Sequence, residues 1–335
     1  MLTVSSYPVA VLMCFVTMLC WGSWGNTQKL ASREWKFQLF YWDYAVGILL
    51  FSLFLALTMG SLGSGGRAFV PDMMQADAKW LGSAFIGGVI FNAANLLLVI
   101  AIDIAGLAVA FPVGIGLALV LGVITTYLAT GVGNPAMLFP GVALIAAAIV
   151  LDAMAFRRMG GGKATAKGVS VSLLAGILMG FFYSFVASSM GKIDASGGAV
   201  VLEAGKLSPY SAMFVFAVGI FASNFVFNTL AMRFPISGDP VPASDYFKRG
   251  TPGLHLVGML GGAVWCLGSA FSFIASDAAG AALAYGLGQG ATMVSALWGV
   301  FVWKEFRGAP KGTNALIFAM FALFAAGLAI LIASK

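Results

Sequence analysis

Residues 87–120 read GGVIFNAANLLLVIAIDIAGLAVAFPVGIGLALV, and the pattern returns ungapped at 261–294 as GGAVWCLGSAFSFIASDAAGAALAYGLGQGATMV, a shift of 174 positions. The shift pairs Gly87 and Gly88 with Gly261 and Gly262, Asp103 with Asp277, Gly106 with Gly280, Phe111 with Tyr285, Gly114 with Gly288 and Gly116 with Gly290. Apolar, small-residue sequence makes chance matches common. In a chain with 9% charged residues, two superimposed aspartates and superimposed G-x-G pairs are not common, and they mark an internal duplication. A weaker match, Tyr44-Ala-Val-Gly-Ile48 with Phe216-Ala-Val-Gly-Ile220 at a shift of 172, extends the duplication over a whole half.

Composition sets the solvent. Of 335 residues 61% are hydrophobic and 43 are glycine, and mean hydropathy is +0.98; a soluble protein carries roughly 25% charged residues. The chain therefore belongs in a bilayer. A spanning helix needs about 20 apolar residues, which predicts ten spans at 8–30, 37–60, 79–102, 106–130, 135–156, 168–190, 209–232, 254–275, 280–303 and 312–333. The expected fold class is an all-α polytopic membrane protein with short loops. Met1–Tyr7 holds no Lys or Arg, so the first segment lacks a signal peptide's basic start and is read as a retained span. Cys14, Cys20, Cys266 and the single His255 have no metal-ligand or disulfide spacing, and His255 has no catalytic partner in sequence, which excludes a membrane-embedded enzyme. No cofactor, metal or nucleic-acid partner is expected. The net charge of +6 resides in loops.

Lys and Arg sort by loop. Five (Arg67, Lys79, Lys192, Lys206, Lys335) fall on the side of the termini and thirteen on the other, which by the positive-inside rule puts both termini outside the cytoplasm, here of a multi-pass inner-membrane protein. Five spans per half is an odd number, so the second copy enters from the opposite face. The domains are then a first five-helix repeat over 1–158, a basic, glycine-rich cytoplasmic linker over 159–167 and a second repeat over 168–335. Inverted repeats of this kind carry the solute site near the midplane. Gly162-Lys163 in the linker suggests a phosphate loop, but Arg157 and Ala164 stand where that motif needs Gly and a hydroxyl.

Polar and helix-breaking residues within spans are the candidates. Trp21, Trp24 and Asn26 offer a stacking and hydrogen-bonding surface, with an interfacial aromatic belt as the alternative. Tyr41 adjoins Asp43, a carboxylate just inside a span and the candidate for proton coupling; pairing with Lys36 is its bland reading. Asn92 and Asn95 share a helix face, and their counterparts Cys266 and Ser269 give the second half different chemistry. Asn224 and Asn228 repeat that spacing, read as packing. Pro112, Gly114 and Gly116, matched by Gly286, Gly288 and Gly290, predict paired helix breaks that free backbone groups toward a central site. Tyr285 and Gln289 are the strongest candidates for solute contact, followed by Trp265, Thr292 and Ser295. Asp103 and Asp277 are expected in short turns, one at each face, as gate elements. Lys304 and Glu305 are expected to pair locally.

Several of these pieces, in order along both halves, resemble the ureide permeases, within the ten-helix drug/metabolite transporter superfamily. They are Gly22-Ser-Trp24, Tyr41-Trp-Asp-Tyr44, Gly87-Gly88 with Asn95, Leu138-Phe-Pro-Gly141, Gly261-Gly262, and Trp298-Gly-Val with Glu305 and Arg307. The likeness to bacterial glucose/ribose and rhamnose porters is looser. The resemblance implies proton-driven import of a small, uncharged polar solute: ureides and nucleobases such as allantoin or uracil, or sugars. Export and an uncoupled facilitator or channel are the alternatives. Plant members carry a long central cytoplasmic loop that this chain lacks. The expected partners are the solute, protons and the lipid bilayer, with a homodimer left open.

Overall fold

The computed structural model describes residues 1–31, 34–105, 110–160, 165–194, 201–236 and 238–334, without the side chains of Asp103, Phe111, Pro112 and Asp194. The linker residues 161–164 and Gly106 lie outside that set. In the first half the helices are α1 (Tyr7–Ser23), α2 (Gly25–Ala31), α3 (Phe37–Leu57), α4 (Phe69–Gln75), α5 (Ala78–Ala105), a π-helical turn Phe111–Ile115, α6 (Gly116–Thr130) and α7 (Pro135–Arg158). In the second they are α8 (Ala166–Ser189), α9 (Pro209–Arg233), α10 (Asp245–Arg249), α11 (Pro252–Ala279), α12 (Ala281–Gly288), α13 (Ala291–Leu297), a π-helical turn Trp298–Val302 and α14 (Thr313–Ile332). Between α8 and α9 a small antiparallel pair, β1 (Ile193–Asp194) and β2 (Val201–Leu202), sets Ile193 opposite Leu202.

Local chemistry starts the long helices. Asn134, Thr165, Ser208 and Thr251 accept from backbone N–H groups of α7, α8, α9 and α11, satisfying donors that a helix leaves unpaired. α1, α7, α9 and α11 also carry Pro in their first turn, where its missing N–H does no harm. Among the described residues nine helices, with α1 and α2 running on as one, are long and apolar enough to cross a membrane. The tenth expected span is the interrupted run α12, α13 and π turn. Leu12, Leu19, Phe54, Phe225 and Phe318 point outward, uncovered by protein, as they must where lipid is the solvent.

Packing repeats with the sequence. α5 lies against α8 and α9, and α11 lies correspondingly against α1 and α3; α6 packs on α8 as α12 and α13 pack on α1. At these crossings glycines let backbones touch. A Cβ on Gly88 would meet the Phe216 carbonyl oxygen at 2.1 Å, and one on Gly262 would meet that of Tyr44 at 2.0 Å. The reciprocal pair is the same: Gly219 against the Phe85 carbonyl (2.2 Å) and Gly47 against that of Met259 (2.1 Å).

Loops gather at two ends. The amino terminus binds Gly65, the Asn134 N–H donates to Ser334, and Gly280 abuts Val132. On the same end buried Asp72 accepts from Arg67 Nε (3.0 Å) and Ser208 N (2.7 Å). The other end holds the basic loops, where Lys167 donates to Ile236 O and Arg158 to Lys311 O.

Two expectations need correction here. Asp103 and Asp277 are not in turns but in the last turn of α5 and of α11. The α11 helix runs on to Ala279, the chain reverses at Gly280 with φ of 91°, and Asp277 Oδ1 accepts from Ile193 N at 3.3 Å. The predicted break at 286–290 is also displaced. Gly286 and Gly288 are helical, and the interruption falls at Gln289–Gly290, whereas Pro112 and Gly114 do lie in a non-α turn that gives way to α6 at Gly116.

Candidate functional site

The two interruptions face a cavity of about 240 Å3 between the halves, at the small end of ligand sites. Its aromatic wall is Trp21, Trp24, Phe91, Phe182 and Trp265, and its polar groups come from Gln28, Asn95, Gln289, Thr292 and Ser295. Among the described residues no ionisable side chain lines it. The Trp21 and Trp265 rings lie 11° from parallel with centroids 6.3 Å apart, and Phe91 stands 4.4 Å from Trp265.

Supporting hydrogen bonds fix this lining. Trp21 Nε1 donates to Ser269 Oγ at 2.9 Å, and Asn95 Nδ2 donates to the Tyr41 hydroxyl at 3.1 Å. Ser269 and Tyr41 thus stand behind the wall. Ser295 donates to Gly22 O and Thr292 to Gln289 O, which ties α13 to α1 and closes the interrupted turn. The side-chain amides of Gln28 and Gln289 make no hydrogen bond to described residues although Gln289 is 8% exposed. Both present a donor and an acceptor to whatever fills the cavity.

The other candidates are placed elsewhere. Tyr285 is corrected: its ring packs against Tyr183 and its hydroxyl donates to the carbonyls of Ala118 (3.1 Å) and Met179 (3.3 Å), away from the cavity. Gly122 leaves room for that ring. Asn92 turns to α9 and donates to Ser223 at 2.9 Å, so the two asparagines divide between packing and cavity. Asn26 accepts from Trp303 Nε1 at 2.6 Å and lines a second cavity, of about 220 Å3, that shares Gly25 and Ser295 with the first. Gln28, Phe91 and Phe182 went unread in sequence. Gln28 follows Trp21 and Trp24 at helical spacing, a signal that was available.

Asp43 is buried, and its partner is not Lys36. Tyr246 of α10 donates to Oδ1, His255 Nδ1 lies 2.9 Å from the same oxygen, and Trp35 Nε1 is 3.3 Å from Oδ2. Gly258 makes room, since a Cβ there would sit 2.4 Å from that of Asp43. The single histidine therefore does have a partner, one that lies 212 positions away. Burial, and then the Asp43 carboxylate beside it, push the Tyr246 hydroxyl pKa upward, which keeps it a donor. Glu305 pairs with Lys29 of α2 rather than locally with Lys304.

The fold and the cavity define an all-α, integral, multi-pass membrane protein whose helices enclose a space of solute size. The chain belongs to the ureide permease family, a family of membrane transporters and not of enzymes: that family's profile matches residues 40–161 and 158–334. It is 24% identical to ureide permease 2 and 23% to ureide permease 1 of Arabidopsis thaliana, each over 100% of this chain and 99% of the relative. A protein solved by crystallography shares the fold, with a TM-score of 0.60 at 18% identity over 97% of this chain and 96% of its own.

Proposed function

We propose that the chain imports a small, uncharged solute bearing amide groups, a ureide or a nucleobase rather than a sugar, across the cytoplasmic membrane. The observation that carries this reading is the cavity itself: stacked aromatic walls, no ionisable group, and the unpartnered amides of Gln28 and Gln289. A ureide presents N–H and C=O side by side, the complement of a primary amide, and its plane suits the tryptophans. The Arabidopsis relatives bear the name ureide permease, which supports the same substrate class.

The proposed carrier alternates access by rocking repeat 1–158 against repeat 168–335, with the basic ends cytoplasmic and both termini outside. The doubled glycine crossings and the start of α1 and α8 at opposite ends support this arrangement. Import is proposed to be coupled to protons at Asp43, the carboxylate shared by α3, α10 and α11. The test is a thermal-shift panel of allantoin, uracil, glucose and ribose on purified protein, since a ligand that binds the folded state stabilises it. The ureide or nucleobase shifts the midpoint, and Gln289→Leu weakens that affinity about tenfold or more by removing both hydrogen bonds. A shift by sugars alone overturns the substrate reading. Gradient-driven uptake unchanged in Asp43→Asn rejects the coupling site.

A further inference from the structure

The second cavity holds a charge that the transport reading above does not use. It is lined by α2, α7, α13, the π turn after it and Glu305, and it contains Asn26, Lys29, Asp152, Trp298, Trp303 and Glu305. Asp152 belongs to α7, a spanning helix, is 5% exposed, and makes no hydrogen bond or ion pair with any described residue. Its carboxylate faces the cavity. Lys29 pairs with Glu305, so among the described residues the cavity lining holds two carboxylates and one ammonium. An ionisable group inside a span is expected to find a partner, and here none is supplied by a described residue.

The surroundings narrow what neutralises it. Helix α14, packed along α7, has no titratable residue; α6 contributes only Tyr127, which packs on Phe139 near the far end of α7; the π turn 111–115 and the run 291–302 have none. On α7 itself Arg157 and Arg158 are exposed, with Arg158 donating to Lys311 O, and Lys304, Arg307 and Lys311 are exposed on the loop. A metal cation needs several oxygen ligands, and the ammonium of Lys29 in the same cavity repels it. A proton needs one oxygen.

We infer that Asp152 is a proton-binding site of the vestibule between the central cavity and the basic end of the molecule, separate from Asp43. One carboxylate oxygen takes a proton from hydronium at that end, releasing water, and becomes the neutral acid, and the Lys29–Glu305 pair stays closed. When the proton leaves, Asp152 and Glu305 compete for the Lys29 ammonium. The inference holds whether or not the solute is a ureide.

Infrared difference spectra of the purified, lipid-reconstituted protein between acidic and alkaline buffer test this directly. The wild type shows a protonated-carboxyl carbonyl band that titrates with pH and shifts in deuterated water. One component of the band is lost in Asp152→Asn, restored in Asp152→Glu and kept in Asp43→Asn. Absence of the band in the wild type, an Asp152→Asn band identical to the wild type's, or a change only in Asp43→Asn overturns the assignment. So does a sodium-dependent, pH-independent change in the fluorescence of Trp298 and Trp303. No solute is needed, so failure of every solute to bind leaves this result separately readable.

Discussion

Asn224 and Asn228 lie one turn apart on α9, both fully buried, yet only one is used. Asn228 Nδ2 donates to Gln38 O at 2.8 Å and leaves its Oδ1 unpaired, while both amide atoms of Asn224 lack a partner. An unsatisfied buried polar atom costs about 1–3 kcal/mol, more than a made hydrogen bond typically returns. Asn224→Leu is therefore expected to raise the chemical-denaturation midpoint, with a gain of about 1–3 kcal/mol, and Asn228→Leu to raise it less, because that variant gives up the bond to Gln38 O. Equal losses in both variants would show that Asn224 has a partner in the bilayer. The same contrast explains which single residues were legible in sequence. Trp21, Trp24, Asn95, Trp265, Gln289 and Thr292 do face one cavity, because polarity within an apolar span is a local signal. The links of Asp43 to His255 and of Glu305 to Lys29 span 212 and 276 positions. No local pattern carries those.

At the scale of elements the glycines decide how close helices come. At Gly88 and Gly262 a side chain would overlap a carbonyl oxygen of the crossing helix, and backbone cannot move aside as a flexible side chain can. Gly82, also in α5, has nothing within 4 Å of its would-be Cβ. Gly262→Ala should thus force α11 from α3 and destabilise by about 1–3 kcal/mol or more through overpacking, whereas Gly82→Ala should stabilise by up to about 1 kcal/mol through helix propensity. Thermal midpoints of the two variants in the same detergent decide it; equal midpoints would mean the crossing is loose. This periodic glycine pattern made the spans and their repetition visible from residues 87–120 and 261–294 alone. The ends of helices were less legible. An Asp followed three positions later by Gly suggests a turn, but α11 runs past Asp277 because that carboxylate meets the N–H of Ile193 from a distant loop.

Across the whole molecule the central cavity adjoins the second cavity toward the basic end, the two sharing Gly25 and Ser295 in their walls. The end that holds the termini is bridged by contacts between the halves: the Ser208 N–H to Asp72 Oδ2, the Asn134 N–H to Ser334 O, and Val132 against Gly280. A carrier that rocks must break these contacts once per cycle, whereas a fixed pore need not. A Cβ on Gly280 would lie 3.8 Å from that of Val132, the separation found in disulfides. The double variant Val132→Cys with Gly280→Cys should therefore cross-link under oxidant and tie α6 to α12 at this end. Oxidation is expected to abolish solute uptake in proteoliposomes and reduction to restore it. Because Gly280 has a φ of 91°, a Cys there carries about 1–3 kcal/mol of backbone strain, and the single Gly280→Cys variant measures that effect apart from the lock. Binding from the basic end, read by thermal shift, should survive the cross-link, since the vestibule stays open. Uptake that continues at full rate in the oxidised double variant would remove alternating access and leave a fixed pathway through the same helices.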